Sequence, residues 1–143
     1  MLMGKFQNSI DAKNRMIVPS KYREELGYRC VLTRGIEKCL YIYPMDMWEN
    51  FQKKLSALPT SDPRARTFVR HFYANAVECE IDKQGRIIIP QELRDYAHIE
   101  KELVTVGLIE RIEIWSRALW EDAENGAQMD TEDFAKAMIE YGI

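Results

Sequence analysis

The sequence is poor in the residues that build covalent or metal frameworks. It holds three cysteines, Cys30, Cys39 and Cys79, and two histidines, His71 and His98. An odd cysteine count without C-x-x-C spacing excludes a disulfide framework and offers no zinc motif. All three cysteines lie in apolar or alternating stretches, where a small buried hydrophobe is the ordinary role. The two histidines are far from each other and from the cysteines, so no metal site is expected. No apolar run approaches the ~20 residues that a spanning helix needs. The opening MLMGKFQNSI has no basic region followed by an apolar stretch, so no signal peptide is expected and the protein reads as cytoplasmic, without a membrane partner. There is no nucleophile with a base beside it and no phosphate-cradling glycine loop. The chain is therefore not expected to be an enzyme, and neither a cofactor nor a small-molecule substrate is expected.

What is present is a chain of 143 residues, 46% hydrophobic and 30% charged, with a net charge of −3. That composition describes a globular protein able to bury a core without staples. The charge is polarised. Between Lys5 and Arg29, Lys5, Lys13, Arg15, Lys21, Arg23 and Arg29 face only Asp11, Glu24 and Glu25. From Glu121 onward Lys136 is the sole base among Glu121, Asp122, Glu124, Asp130, Glu132, Asp133 and Glu140.

One short polar segment is written twice: DAKNR at 11–15 and DKQGR at 82–86. At the same offset Ile10 matches Ile81, Ile17 matches Ile88, Pro19 matches Pro90 and Arg23 matches Arg94. After a single insertion Thr33, Gly35, Ile42 and Trp48 match Thr105, Gly107, Ile114 and Trp120. The chain is a duplication of one unit.

Each unit reads as a lead-in strand, the polar loop and a short buried strand ending in proline (MIVP at 16–19, IIIP at 87–90). A short helix and two more strands follow. In the first unit Ser20 is the expected N-cap of that helix and Gly27 its stop. The Gly35 and Gly107 neighbourhoods fit the bend between the last two strands of each unit. Residues 45–58 carry Met47, Trp48, Phe51, Leu55 and Leu58 near helical spacing. Asp62-Pro63 signals the start of a helix with Phe68, Val69, Phe72 and Tyr73 on one face. A last helix is expected from about Thr131, with Phe134, Ala135, Met138 and Ile139 as its stripe. The boundaries follow: a first module over 5–47, a helical connector over 48–75, a second module over 76–119 and a helical tail over 120–143.

In the loop, an aspartate hydrogen-bonds backbone two residues on, and asparagine or glycine tolerates positive φ. Asp11, Asn14, Asp82 and Gly85 are thus the loop organisers. Arg15 and Arg86 either fold back on the acid or point outward. An internal Asp–Arg pair fixing a tight turn weighs about as much here as a binding role. Two function classes stay open on the residues alone: DNA recognition, with arginine on guanine and lysine on phosphate, and a protein-binding scaffold.

The segments MLMGKFQNSIDAKNRMIVPSKYREEL, VLTRGIEKCLYIYPMDMWENF and ECEIDKQGRIIIP resemble the MraZ family, through to about Trp120. The resemblance implies a mainly β fold with amphipathic helices. Each half would be an AbrB-like swapped-hairpin β-barrel half-unit, the two forming a pseudo-dimer in one chain. It implies a bacterial transcriptional regulator, cytoplasmic and nucleoid-associated. Such a regulator acts at the promoter of the division and cell-wall gene cluster. Its implied partners are double-stranded DNA with closely spaced repeats and further copies of itself in a ring. An AbrB-like scaffold or antitoxin-type module is the alternative. The family motif falls on Asp11, Arg15, Asp82 and Arg86. Lys13, Lys21, Arg23 and Lys83 are the accompanying basic candidates. The first loop lies in the basic stretch and has Asn14 where the family form has glycine, so it is expected to carry more of the DNA contact.

Overall fold

A computed structural model describes all 143 residues. The strands are β1 (Met3–Ser9), β2 (Arg15–Ile17), β3 (Arg29–Arg34), β4 (Leu40–Pro44), β5 (Val77–Glu80), β6 (Arg86–Ile88), β7 (Glu102–Leu108) and β8 (Ile112–Ser116). The helices are α1 (Ser20–Leu26), α2 (Met45–Ser56), α3 (Pro63–Tyr73), α4 (Gln91–Tyr96), α5 (Arg117–Gly126) and α6 (Thr131–Glu140).

Six strands form one antiparallel sheet in the order β1-β7-β8-β4-β3-β5, and β2 and β6 pair separately as a two-stranded ribbon. The duplication is visible in that order, because each copy lends strands to the other. β1 of the first copy pairs with β7 of the second, β5 of the second with β3 of the first, and β4 meets β8 in the middle. The two halves interleave into the pseudo-dimer that the duplication implies. No ladder closes the sheet into a barrel. Its faces are instead covered by other elements.

Alternation along the strands sends side chains to two cores. On one face Leu32, Leu40, Ile42, Ile112 and Ile114 pack with Met16 and Ile87 from the ribbon, Tyr22 from α1 and Leu93 from α4. On the other, Val31, Tyr41, Tyr43 and Trp115 pack with Trp48 and Leu55 from α2 and Phe72 from α3. Cys30, Cys39 and Cys79 are free and buried among these residues. Cys30 stands directly opposite Cys79 across β3 and β5, a pairing that their sequence spacing does not show.

One local reading needs correction. Ser20 does not cap α1 but is its first residue; Pro19 holds the cap position, and no side chain bonds there. A proline with φ near −52° already presets the helical entry, so a hydroxyl is not required. The Gly107 neighbourhood does hold the bend: Gly107 is the second-last residue of β7, and the turn to β8 uses Ile109 at φ 71°. Glycine is needed at 107 because the chain entering β1 presses on it: a Cβ there would sit 2.6 Å from the Met3 nitrogen. Beyond β8, α5 is capped by Ser116, and its Trp120 packs edge-on to Trp115 with ring centroids 5.7 Å apart.

Other signals correspond to their elements. Gly27 ends α1 at φ 68°, and Asp62 caps α3 by accepting a 2.9 Å bond from the Arg64 amide with Pro63 in the first turn.

Candidate nucleic-acid interface

The repeated loops fold identically. In the first, Asp11 Oδ1 accepts the amides of Lys13 and Arg15, each at 2.9 Å, and Oδ2 accepts Arg15 Nε at 2.8 Å. In the second, Asp82 Oδ1 accepts the amides of Gln84 and Arg86 at 2.9 Å, and Oδ2 accepts Arg86 Nε at 2.8 Å. The residue before each arginine takes positive φ: Asn14 at 63° and Gly85 at 78°. An aspartate that accepts two amides within its own turn makes the loop rigid, and the left-handed residue lets the chain turn back into a strand.

These bonds set the electrostatics. The amide of Arg15, then its guanidinium and the Lys13 amide, hold the Asp11 carboxyl below the ordinary carboxylate range. The corresponding donors from Arg86 and Gln84 do the same for Asp82. Both acids are ionised at neutral pH. Each arginine is tied through Nε only, and no hydrogen bond of the chain uses either Nη group. The brace fixes the Nε edge of each guanidinium and leaves its two Nη nitrogens available as donors. Folding back on the acid is the alternative observed, and each arginine side chain is still 25% exposed.

The loops open the two strands of the β2–β6 ribbon at opposite ends. Arg15 stands across from Ile88, Met16 from Ile87 and Ile17 from Arg86. Met16 and Ile87 are fully buried, so Arg15, Ile17, Arg86 and Ile88 share the outward face. The two arginines are diagonal neighbours, about 7–8 Å apart at Cα by ladder geometry. They come from residues 71 positions apart in sequence, yet they form one site.

The antiparallel ribbon also redistributes the basic residues. Sequence proximity groups Lys21 and Arg23 with the first loop. The end of β2 instead runs beside the second loop, where the Val18 amide donates to the Gly85 carbonyl at 2.8 Å. Arg23 donates Nε to the Val18 carbonyl at 2.8 Å, and its guanidinium covers Gly85 so closely that a Cβ there would collide with it. Helix α1, with Lys21 exposed in its first turn, therefore attends the loop of the other copy. In return the Ile89 amide donates to the Asn14 carbonyl at 3.0 Å, and α4 with Arg94 attends the first loop. Arg94 reaches the Ile89 carbonyl through Nη1 rather than Nε, and there position 14 carries a side chain. Lys13 and Lys83 are exposed on the loops themselves. The basic surroundings that the sequence assigns to the first loop are in the fold shared between the two.

Sequence reading missed Ile17 and Ile88, taken only as part of buried strands. The signal was available: Met16 and Ile87 alternate with them, so one member of each pair had to face out.

The MraZ family model, described as "MraZ protein, putative antitoxin-like", matches residues 1–71 and again 72–141. Among curated relatives, a protein of Clostridium tetani (strain Massachusetts / E88) named Transcriptional regulator MraZ is 50% identical over all 143 residues of both chains. Proteins of the same name from Thermoanaerobacter sp. (strain X514) and Desulfitobacterium hafniense (strain Y51) are 48% and 47% identical, again over the full length of both chains. Two matches of one family model to one chain, dividing it close to where the structure repeats its loop, leave a single assignment: the chain belongs to the MraZ family.

Proposed function

We propose that this chain is a transcriptional regulator that binds double-stranded DNA sequence-specifically through the outward face of the β2–β6 ribbon. The observation that carries this reading is the pair of Asp-braced arginines, each with both Nη groups free, on one exposed two-stranded ribbon. The major groove admits a two-stranded β-ribbon, and a guanidinium fork matches O6 and N7 of guanine. Arg15 and Arg86 are the base readers. Lys13, Lys83 and Lys21 supply phosphate contacts, and Arg23 supports the second loop. Asp11, Asn14, Asp82 and Gly85 hold the geometry. The relatives' shared name supports the regulatory role. Our reading is of a non-enzymatic, cytoplasmic and nucleoid-associated protein. No helix is long and apolar enough to cross a membrane. The modules are those over 5–47 and 76–119, joined by the 48–75 connector and followed by the 120–143 tail.

The target we propose is closely spaced short repeats in the promoter of the division and cell-wall gene cluster, engaged by a ring of copies. One ribbon makes few contacts, and several ribbons on tandem repeats gain effective concentration. Helix α6 supports self-assembly. It follows α5 as α3 follows α2, but α3 buries Ala65 and Phe72 whereas α6 buries nothing. Its Phe134, Met138 and Ile139 are exposed. The groove between α2 and α3, lined by Phe51, Leu55, Leu58 and Phe68 together with Lys54, is largely apolar with one base, suited to the acidic, apolar-striped α6 of a second copy.

The test is a mobility-shift titration on the chain's own promoter region at two salt concentrations. Arg15→Ala and Arg86→Ala each weaken specific binding by about 1–3 kcal/mol per engaged loop and erode base preference. Lys21→Ala weakens all sequences alike and flattens the salt dependence. A folded, assembled Arg15→Ala, Arg86→Ala protein that binds the promoter normally overturns the proposal. The words "antitoxin-like" in the family description favour a second reading, an AbrB-like protein-binding module. It requires that Asp11→Ala and Arg15→Ala lower stability together with no separate DNA defect.

A further inference from the structure

Two isoleucines flank the arginines on the outward face of the ribbon. Ile17 is 54% exposed and Ile88 61% exposed, while the intervening Met16 and Ile87 are sealed in the core. β-branched residues suit strands, so isoleucine at one such position is unremarkable. Its repetition is informative. Between the copies, the inward residues have changed, Met16 against Ile87 and Val18 against Ile89. So have the loop residues between aspartate and arginine. The outward residues have not: Arg15 and Arg86, Ile17 and Ile88 are identical. A core position normally restricts its side chain more than a solvent position does. Within the two ribbon strands the outward positions are the ones held fixed, which points to something that touches them.

The register says what each isoleucine accompanies. Ile88 is directly opposite Arg15, and Ile17 directly opposite Arg86. Side chains directly opposite on one face have Cβ atoms about 4.5–5.5 Å apart. Each arginine therefore stands beside an isoleucine lent by the other copy. A ribbon face bearing a braced fork and an adjacent aliphatic group matches the major-groove edge of guanine next to thymine. Guanine offers O6 and N7, and thymine offers an apolar C5-methyl.

We infer that Ile17 and Ile88 are specificity-determining residues that pack on thymine methyl groups, each forming with the arginine opposite it a reader for a thymine adjacent to a guanine. The inference rests on the DNA-binding reading above. Each reader is built across the two copies, so Arg15 works with Ile88 and Arg86 with Ile17, never with the isoleucine two residues along its own strand.

The test uses the full-length chain. Binding sites are first selected from random duplex DNA. Each thymine of the selected site is then replaced in turn by deoxyuridine, which removes only the C5-methyl. One methyl withdrawn from an apolar contact weakens binding about 3- to 5-fold. That loss is expected at one or two thymines next to guanine and nowhere else. Ile88→Ser is expected to abolish the thymine–deoxyuridine difference at the position whose guanine preference Arg15→Ala erases, and Ile17→Ser at the Arg86 position. Ile17→Val and Ile88→Val retain part of each difference, and all four variants keep the salt dependence of nonspecific binding. The inference is overturned if selected sites lack thymine beside guanine, if no deoxyuridine changes affinity, or if the serine variants keep the discrimination. The deoxyuridine series on the unaltered chain decides the matter even if a variant folds poorly. Failure of the underlying DNA reading looks different: no sequence is enriched at all.

Discussion

At the residue scale the molecule depends on two aspartates that serve the backbone and a guanidinium at once. Their carboxyls are depressed in the fold, so the sign of the pH effect is fixed. A carboxylate with a lowered folded value contributes stability above its unfolded value, and that contribution is lost as pH falls through the folded one. The loops should thus hold throughout the neutral range and relax only in acid below the ordinary value of 3.8. Carboxyl-carbon NMR titration should find Asp11 and Asp82 with midpoints under that value, and Asn substitutions should remove those steps. Gly85 makes a second residue-level case. It needs positive φ and leaves room for Arg23. Gly85→Ala should cost about 1–2 kcal/mol from backbone conformation alone, with the Arg23 collision in addition. Adding Arg23→Ala should recover the collision part but not the backbone part, a coupling that denaturant unfolding of the four combinations measures. These loops were largely legible in the sequence, because aspartate, a left-handed residue and arginine within five positions form a local device. What spacing could not tell was which guanidinium nitrogens the brace leaves free.

At the element scale, legibility falls wherever the partner is distant. The helix signals at Gly27, Asp62 and Thr131 are local, and they correspond to real boundaries. The placement of Arg23 beside the second loop is not local. It follows from an antiparallel ribbon between residues 71 apart, and nothing in the first copy alone encodes it. Gly107 is similar, since its requirement comes from the backbone at Leu2 and Met3 rather than from its own strand. Gly107→Ala should force the start of β1 away and destabilise the chain by roughly 1–3 kcal/mol. A lowered denaturation midpoint, together with faster amide exchange in β1 than in β4, checks this.

At the scale of the whole molecule the two copies are equal in the ribbon and unequal in their helices. The first copy folds α3 back onto the sheet, and the second leaves α6 uncovered. If α6 joins neighbouring copies, removal of residues 128–143 should lower the mass in light scattering to that of a monomer or a small oligomer. Binding to tandem repeats should fall far more than binding to a single repeat, since the lost term is effective concentration and not contact. Unchanged mass after truncation excludes α6 as the joint.

The pairing of β1 with β7 has a consequence in time. On the ribosome, β1 is completed only by residues about a hundred positions later. At about 5–20 residues per second, β1 and the loop after it wait roughly 5–20 s for their partner. For most of that interval Arg15 exists on a chain with no ribbon to carry it. A fragment ending at the connector never receives its partner strands. It can complete the sheet only by borrowing them from another fragment, so its folding should depend on concentration where that of the full chain does not.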